Sequence, residues 1–280
     1  MTNAIKIAGF QIDCAFADSD KNVKAFAEMV PQAIAQNAKL LILPECYLSG
    51  YAFANRHEAY SIAETVPGPS VDKLIAICQQ SNCYVVTGML EKTHAGELFN
   101  SAVLLGPNGI IGKYRKMHIP FMGADRFVTP GNIPYEVYEI EGIKVGINIC
   151  FDGSFPEGSR VLALMGADLI LLPTNWPMGA KPFVLPLTIA RAIENHVYYA
   201  AINRIGQENG VRYIGQSRIL DYNGQVMSEA DEEEKILYAT LYPEKSRQKR
   251  IVIVPGEYEV DRIHMRRPEM YSELVKTIKK

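Results

Sequence analysis

The chain of 280 residues has few cysteines, and they follow no paired C-x-x-C spacing: Cys14, Cys46, Cys78, Cys83 and Cys150. That pattern does not suit a structural zinc site, and an odd count does not close a disulfide framework, so free thiols are expected. Long apolar runs are also missing. Stretches such as Leu40–Pro44 and Leu169–Pro173 fall far short of the ~20 residues that span a bilayer. Nor is there an excess of one charge: 29 Lys and Arg face 31 Asp and Glu, for a net charge of −2, which gives no electrostatic basis for nucleic-acid binding. The start, Met1–Lys6, has no basic segment followed by an apolar one, so no secretory leader is expected, and a cytoplasmic protein without a membrane partner follows. No linker rich in Pro, Gly or Ser divides the chain. One domain over residues 1–280 is therefore expected, with residues from about 245 forming a basic C-terminal arm that either lies on the surface or clasps a second copy.

What is present is a repeated pattern. Ile5–Ile12 alternates as a strand does, and Ser19 and Asp20 offer caps for a helix with Val23, Phe26, Ala27, Val30 and Ile34 on one face. Pro31 should kink that helix or split it. Leu40–Leu43, apolar at every position, reads as a strand buried on both faces. The same order recurs at Ile143–Ile147, a helix through Val161–Met165 that Gly166 ends, and Leu169–Pro173. Between the halves lie a helix near Ser70–Ser81, a strand near Tyr84–Leu90, and a hairpin of Leu98–Leu105 with Ile110–Tyr114 through Pro107-Asn108-Gly109. A helix near Phe183–Asn195 and strands near Tyr198–Asn203, Tyr213–Asp221 and Ile236–Leu241 follow. Helices alternating with buried strands need layers on both sides of a sheet. The expected fold is α/β, a four-layer αββα sandwich whose two halves are related by a pseudo-twofold axis.

Three residues sit just past strands, where α/β sheets place their ligands. Cys150 follows Val145–Ile149 and precedes a helix that Ser154, Glu157 and Pro156 would start and cap. A thiol there would feel the positive end of the helix and favour the thiolate, and the Phe151 N–H could bind an oxyanion. A buried structural cysteine is the plainer alternative. Lys116, in Gly112–His118, is either one of a solvated basic run or the cation that stabilises a thiolate and an oxyanion. Glu45, after Pro44, is either a helix cap or a general base. Cys46 is a second candidate thiol, disfavoured by its anionic neighbour Glu45, and His118 a second candidate base with no motif to support it.

Taken together, Leu43-Pro44-Glu45-Cys46-Tyr47-Leu48-Ser49-Gly50-Tyr51, Tyr114-Arg115-Lys116-Met117-His118, Asn148-Ile149-Cys150-Phe151-Asp152 and Gly166–Pro173 resemble the nitrilase superfamily of carbon–nitrogen hydrolases. The resemblance runs from about Ile5 to Leu241. It implies the αββα fold, a Glu–Lys–Cys triad at Glu45, Lys116 and Cys150, and a homodimer or higher even oligomer. It implies no metal and no organic cofactor. The family often places a second glutamate after the lysine; here Gly123-Ala124-Asp125-Arg126-Phe127 puts Asp125 there, one methylene shorter, with surface pairing to Arg126 as the alternative.

Phe151-Asp152 after the cysteine looks like the amidase and carbamoyl-hydrolase branches. Branches acting on ω-amides often have Arg two residues past that Asp, where this chain has Ser154. Substrate contacts are expected from Tyr51, Asp125, Phe151, Asn175 and Trp176, with Phe121 and Met122 nearby. The expected reaction is hydrolysis of a small amide by water to acid and ammonia. A nitrilase or N-carbamoyl-amine hydrolase with the same triad is the alternative, and a catalytically silent interaction protein is the alternative from another class.

Overall fold

The computed structural model describes residues 4–277; Met1–Asn3, part of the leader argument, lie outside them. In chain order, β1 (Ile5–Gln11), α1 (Ser19–Ala35) and β2 (Leu40–Ile42) come first. Then follow α2 (Arg56–Ile62), α3 (Pro69–Ser81), β3 (Tyr84–Lys92), β4 (Leu98–Gly106) and β5 (Gly109–Arg115). The second half holds β6 (Val137–Ile140), β7 (Ile143–Ile147), α4 (Pro156–Leu164), β8 (Leu169–Thr174), α5 (Lys181–Asn195) and β9 (Tyr198–Asn203). It continues with β10 (Arg218–Leu220), β11 (Val226–Glu229) and β12 (Lys235–Leu241). A short helix α6 (Pro243–Arg247) and a hairpin of β13 (Ile251–Val254) and β14 (Tyr258–Val260) form the C-terminal arm.

Two six-stranded sheets result, ordered β12-β1-β2-β3-β4-β5 and β11-β10-β9-β8-β7-β6. In the first, β1, β2 and β3 run parallel, flanked by antiparallel β12 on one side and the β4–β5 hairpin on the other. In the second, β7, β8 and β9 run parallel, flanked by antiparallel β6 and the β10–β11 hairpin. The faint sequence echo is thus a repeat of strand order and direction.

The period-two alternation of a strand decides the layers. Ile5, Ile7, Leu40 and Ile42 from one sheet meet Ile143, Val145, Leu169 and Leu171 from the other in the central core. Ala8, Leu41 and Leu43, one residue out of step, face outward to Phe26, Val30, Leu74 and Cys78 of α1 and α3. Ile170 and Leu172 likewise face Leu162, Val184 and Ala192 of α4 and α5. This is the expected αββα sandwich.

Several local expectations need correction. Asp18, not Ser19 or Asp20, caps α1, accepting from Lys21 N at 3.0 Å. Of the two readings at Pro31, the split does not occur, since α1 runs on through it; the proline lies on the exposed face, where water can serve the carbonyl it leaves unpaired. Ser154 does not cap α4, because Cys150–Ser154 is already wound into a 3₁₀ turn; Phe155 precedes the helix and Pro156 supplies its first residue. The strand read over Tyr213–Asp221 shrinks to β10, since Gly215 and Gln216 take φ of +62° and +56°. The short elements α2, β6, β13 and β14 had no reading at all.

Gly88 on β3 lies against the backbone that delivers Glu45: a Cβ there would sit 2.3 Å from Cys46 N and 2.6 Å from Glu45 Cα. Gly88→Ala is therefore expected to lower stability by about 3 kcal/mol, because backbone must move to admit the methyl. A urea denaturation midpoint equal to that of the parent would show that the backbone gives way freely.

Candidate active site

Glu45 leaves β2 on a backbone pinned to β3, with Leu43 N donating to Val86 O at 2.8 Å and Gly88 N to Pro44 O at 3.1 Å. Lys116 leaves β5 just as firmly, its N–H donating to Asn100 O at 2.8 Å. Alternation sends the Arg115 side chain the other way, to Glu91 at 2.6 Å and over the Phe99 ring, and turns Lys116 inward. There its Nζ donates to Glu45 Oε1 at 2.7 Å and to Asp125 Oδ2 at 2.5 Å, with all three side chains wholly buried. Asn100 Nδ2 bridges the same two carboxylates, at 2.7 Å to Glu45 and 2.9 Å to Asp125. The Tyr51 hydroxyl donates to Asp125 Oδ2 at 2.8 Å.

Asp125 thus belongs to the cluster. Arg126 turns elsewhere, donating to Gly123 O and Phe53 O, so the surface pairing does not form. The shorter side chain reaches Lys116 because the turn Gly123–Arg126 packs close under Tyr51, with Ala124 N donating to Tyr51 O at 2.7 Å.

One ammonium faces two carboxylates here. Burial opposes the Lys116 charge, but Asp125 and Glu45 outweigh it and hold its pKa well above the usual value. Burial raises the Glu45 pKa above the ordinary carboxylate range despite Lys116, and the Asp125 charge adds to the rise. The second oxygen of Glu45, Oε2, is buried without a hydrogen-bond partner.

Cys150 is half-buried and opens the 3₁₀ turn with φ of +46°, a left-handed conformation that costs energy for a residue with a Cβ. Two side chains fix this turn. Asp152 accepts from Ile149 N at 3.0 Å, Tyr114 OH at 2.8 Å and His118 N at 3.0 Å, and its Oδ1 lies 2.7 Å from His118 Nδ1. Arg191 of α5 donates to Gly153 O at 3.0 Å and Ser154 O at 3.1 Å. Contrary to the sequence expectation, the surroundings of Cys150 on balance oppose the thiolate. Burial pushes the Cys150 thiol up to about 12 and the Glu45 charge adds to this, while Lys116, the Thr174 hydroxyl and the Asn175 backbone pull the other way. Desolvation wins over a short turn with a weak dipole.

The other candidates fall away. Cys46 is fully buried against Asn100, and burial with the Glu45 charge holds its thiol neutral. His118 is bound to Asp152 and stacked on Phe155. Cys150 opens into a cavity of about 340 Å³ that Tyr51, Met122, Phe151 and Trp176 also line. Phe121 does not join it: its side chain is 91% exposed beyond the mouth, since the chain turns out between Pro120 and Met122. Asn175 is fully buried behind the cavity wall, with both amide atoms unpartnered. Sequence reasoning missed Asn100, although a polar residue inside the apolar run Leu98–Leu105 was its signal. It also missed the roles of Asp152 and Arg191, which depend on contacts between distant segments.

Among the described residues no group of three or more His, Cys, Asp or Glu is placed to hold a metal, and no helix is long and apolar enough to cross a membrane. Residues 6–251 match the family model described as carbon-nitrogen hydrolase. The chain is 39% identical over 249 residues to a protein of Pyrococcus abyssi (strain GE5 / Orsay) named as a nitrilase, covering 88% of this chain and 93% of that one. It is 33% identical over 238 residues to an (R)-stereoselective amidase of a Pseudomonas sp, covering 82% of this chain and 80% of that one. The solved structure of a carbon-nitrogen hydrolase from Helicobacter pylori G27 shares the fold with a TM-score of 0.88 at 24% identity, over 99% of both chains.

Asp125→Asn keeps the side-chain shape and removes one of the two charges that hold Lys116. A loss of about 3 kcal/mol in folding stability at neutral pH is expected, the usual cost of unpairing a buried ion. Unchanged chemical denaturation would mean that Asp125 is not a buried partner of the amine.

Proposed function

The chain belongs to the carbon-nitrogen hydrolase family, and from that premise we propose that it hydrolyses a small linear amide to acid and ammonia through a thioester on Cys150. The observation that carries this reading is the buried Lys116 ammonium, held at 2.7 Å from Glu45 and 2.5 Å from Asp125 and close enough to the Cys150 thiol to act on its charge.

In this reading the Cys150 sulfur attacks the amide carbon as its proton passes to Glu45. The carbonyl π pair moves onto oxygen, and the Lys116 ammonium and the Phe151 N–H, free at the start of its turn, hold that oxyanion. The oxyanion then collapses, the C–N bond breaks, and Glu45 gives its proton to the departing nitrogen, so ammonia leaves and the thioester remains. A water then attacks the thioester carbon, losing a proton to Glu45. The C–S bond breaks, Glu45 returns the proton to sulfur, and the acid departs. Asp125 and Asn100 are positioning residues that hold Lys116 and Glu45 in place. A nitrile is the second reading, favoured by the name of the Pyrococcus relative. The Phe151-Asp152 pair after the cysteine favours the amide.

Burial and the Glu45 charge hold the Cys150 thiol well above its ordinary value, so in this reading Glu45 is the base and is unprotonated in the free enzyme. Its raised pKa means that it holds its proton to higher pH than an ordinary carboxylate, so kcat/KM should rise with pH along a limb lying above the usual carboxylate range. Release of ammonia from amides is expected to vanish in Cys150→Ala with the fold retained, and to fall about 1000-fold in Glu45→Gln with that limb abolished. Near-full turnover by the alanine variant would reject the nucleophile. The same limb in the glutamine variant would reject the base.

A further inference from the structure

Behind Cys150 the cavity runs under α5 to Leu172, Val184, Leu187 and Tyr199. Among the described residues no Asp, Glu, Lys, Arg or His lines it. The nearest cation on the helix, Arg191, is fully committed: Nε donates to Gly153 O at 3.0 Å, Nη2 to Ser154 O at 3.1 Å and Nη1 to Glu194 at 3.0 Å. Lys181, at the start of α5, is exposed and paired with Glu232 at 3.3 Å. The Thr188 hydroxyl is spent on Val184 O at 2.8 Å. The Ser154 and Tyr199 hydroxyls and the Trp176 indole, also on the lining, are neutral, and neutral donors do not compensate a buried carboxylate.

Resting on the amide-hydrolase reading above, we infer that this cavity is the acyl subsite and that it selects an uncharged, apolar acyl group. Amides whose far end is a carboxylate are excluded. The volume of about 340 Å³ lies at the low end for small-ligand sites, which suits a short aliphatic chain. Each added methylene that leaves water for this lining should raise kcat/KM about fourfold until the cavity is full. A carboxylate carried to the same depth meets no cation and loses its hydration.

The test compares isocaproamide with succinamate, which has the same branched shape but ends in a carboxylate, and runs acetamide, propionamide and butyramide for chain length. Ammonia release should favour isocaproamide over succinamate by at least about a hundredfold and climb along the aliphatic series. Binding of the same two amides to Cys150→Ala, followed by calorimetry, reads the cavity without chemistry and should favour isocaproamide by at least about tenfold. Leu187→Arg, which puts a guanidinium on the lining, should narrow the turnover gap at least about tenfold. Succinamate turned over or bound as well as isocaproamide would overturn the inference while leaving the hydrolase reading intact. The binding preference without ammonia from any amide would support the apolar cavity and overturn the hydrolase reading instead.

Discussion

An ammonium buried between two carboxylates is the constraint around which this site is arranged. Taking Lys116, Glu45 and Asp125 out of water costs several kcal/mol per ion, and only close contact with further hydrogen bonds offsets it. The fold supplies that contact through rigid parts. Glu45 and Lys116 stand at the ends of β2 and β5, Asn100 comes from β4 between them, and Gly88 lets the Glu45 backbone lie against β3. The charged groups therefore all come from the first sheet and its loops. The turn that carries Cys150 and most of the apolar cavity come from the second sheet and α5. Asp152 joins the two, accepting from Tyr114 and His118 of one half and from Ile149 of the other.

This division bears on how the proposed reaction would use the thiol. A cysteine at a helix start is expected to ionise easily. Here the turn is short, the sulfur is desolvated, and the anion of Glu45 stands nearer in effect than the cation of Lys116. These surroundings favour the neutral thiol, and in the proposed reaction a carboxylate with an elevated pKa and one free oxygen is suited to take its proton. The strained φ of Cys150 is maintained because Asp152 and Arg191 fix the residues on either side.

Much of the layer order was legible in the chain, because Leu40–Leu43 and Leu169–Pro173 carry the unbroken apolar pattern of strands covered on both faces. The positions of Glu45, Lys116 and Cys150 were legible as strand ends joined to a family resemblance. Asp125 could not be resolved from sequence, since one missing methylene is compensated by a turn packed under Tyr51 that no local pattern announces. The forces opposing the thiolate were hidden for a similar reason: a helix-start signature is local, whereas desolvation is set by whatever packs around the sulfur. Phe121 and Met122 are neighbours in sequence yet face opposite ways, which only the turn geometry decides.

The stability of Lys116→Met as a function of pH bears most directly on the buried cluster. Without the cation, two carboxylates share a dry site and hold their protons to higher pH than in the unfolded chain, so the folded form binds more protons and stability falls as pH rises. The stability deficit of Lys116→Met relative to the parent, from urea unfolding at a series of pH values, should grow steadily from mildly acidic to mildly alkaline conditions. A deficit that stays constant with pH would contradict the account, because it would mean that Glu45 and Asp125 do not depend on the ammonium of Lys116.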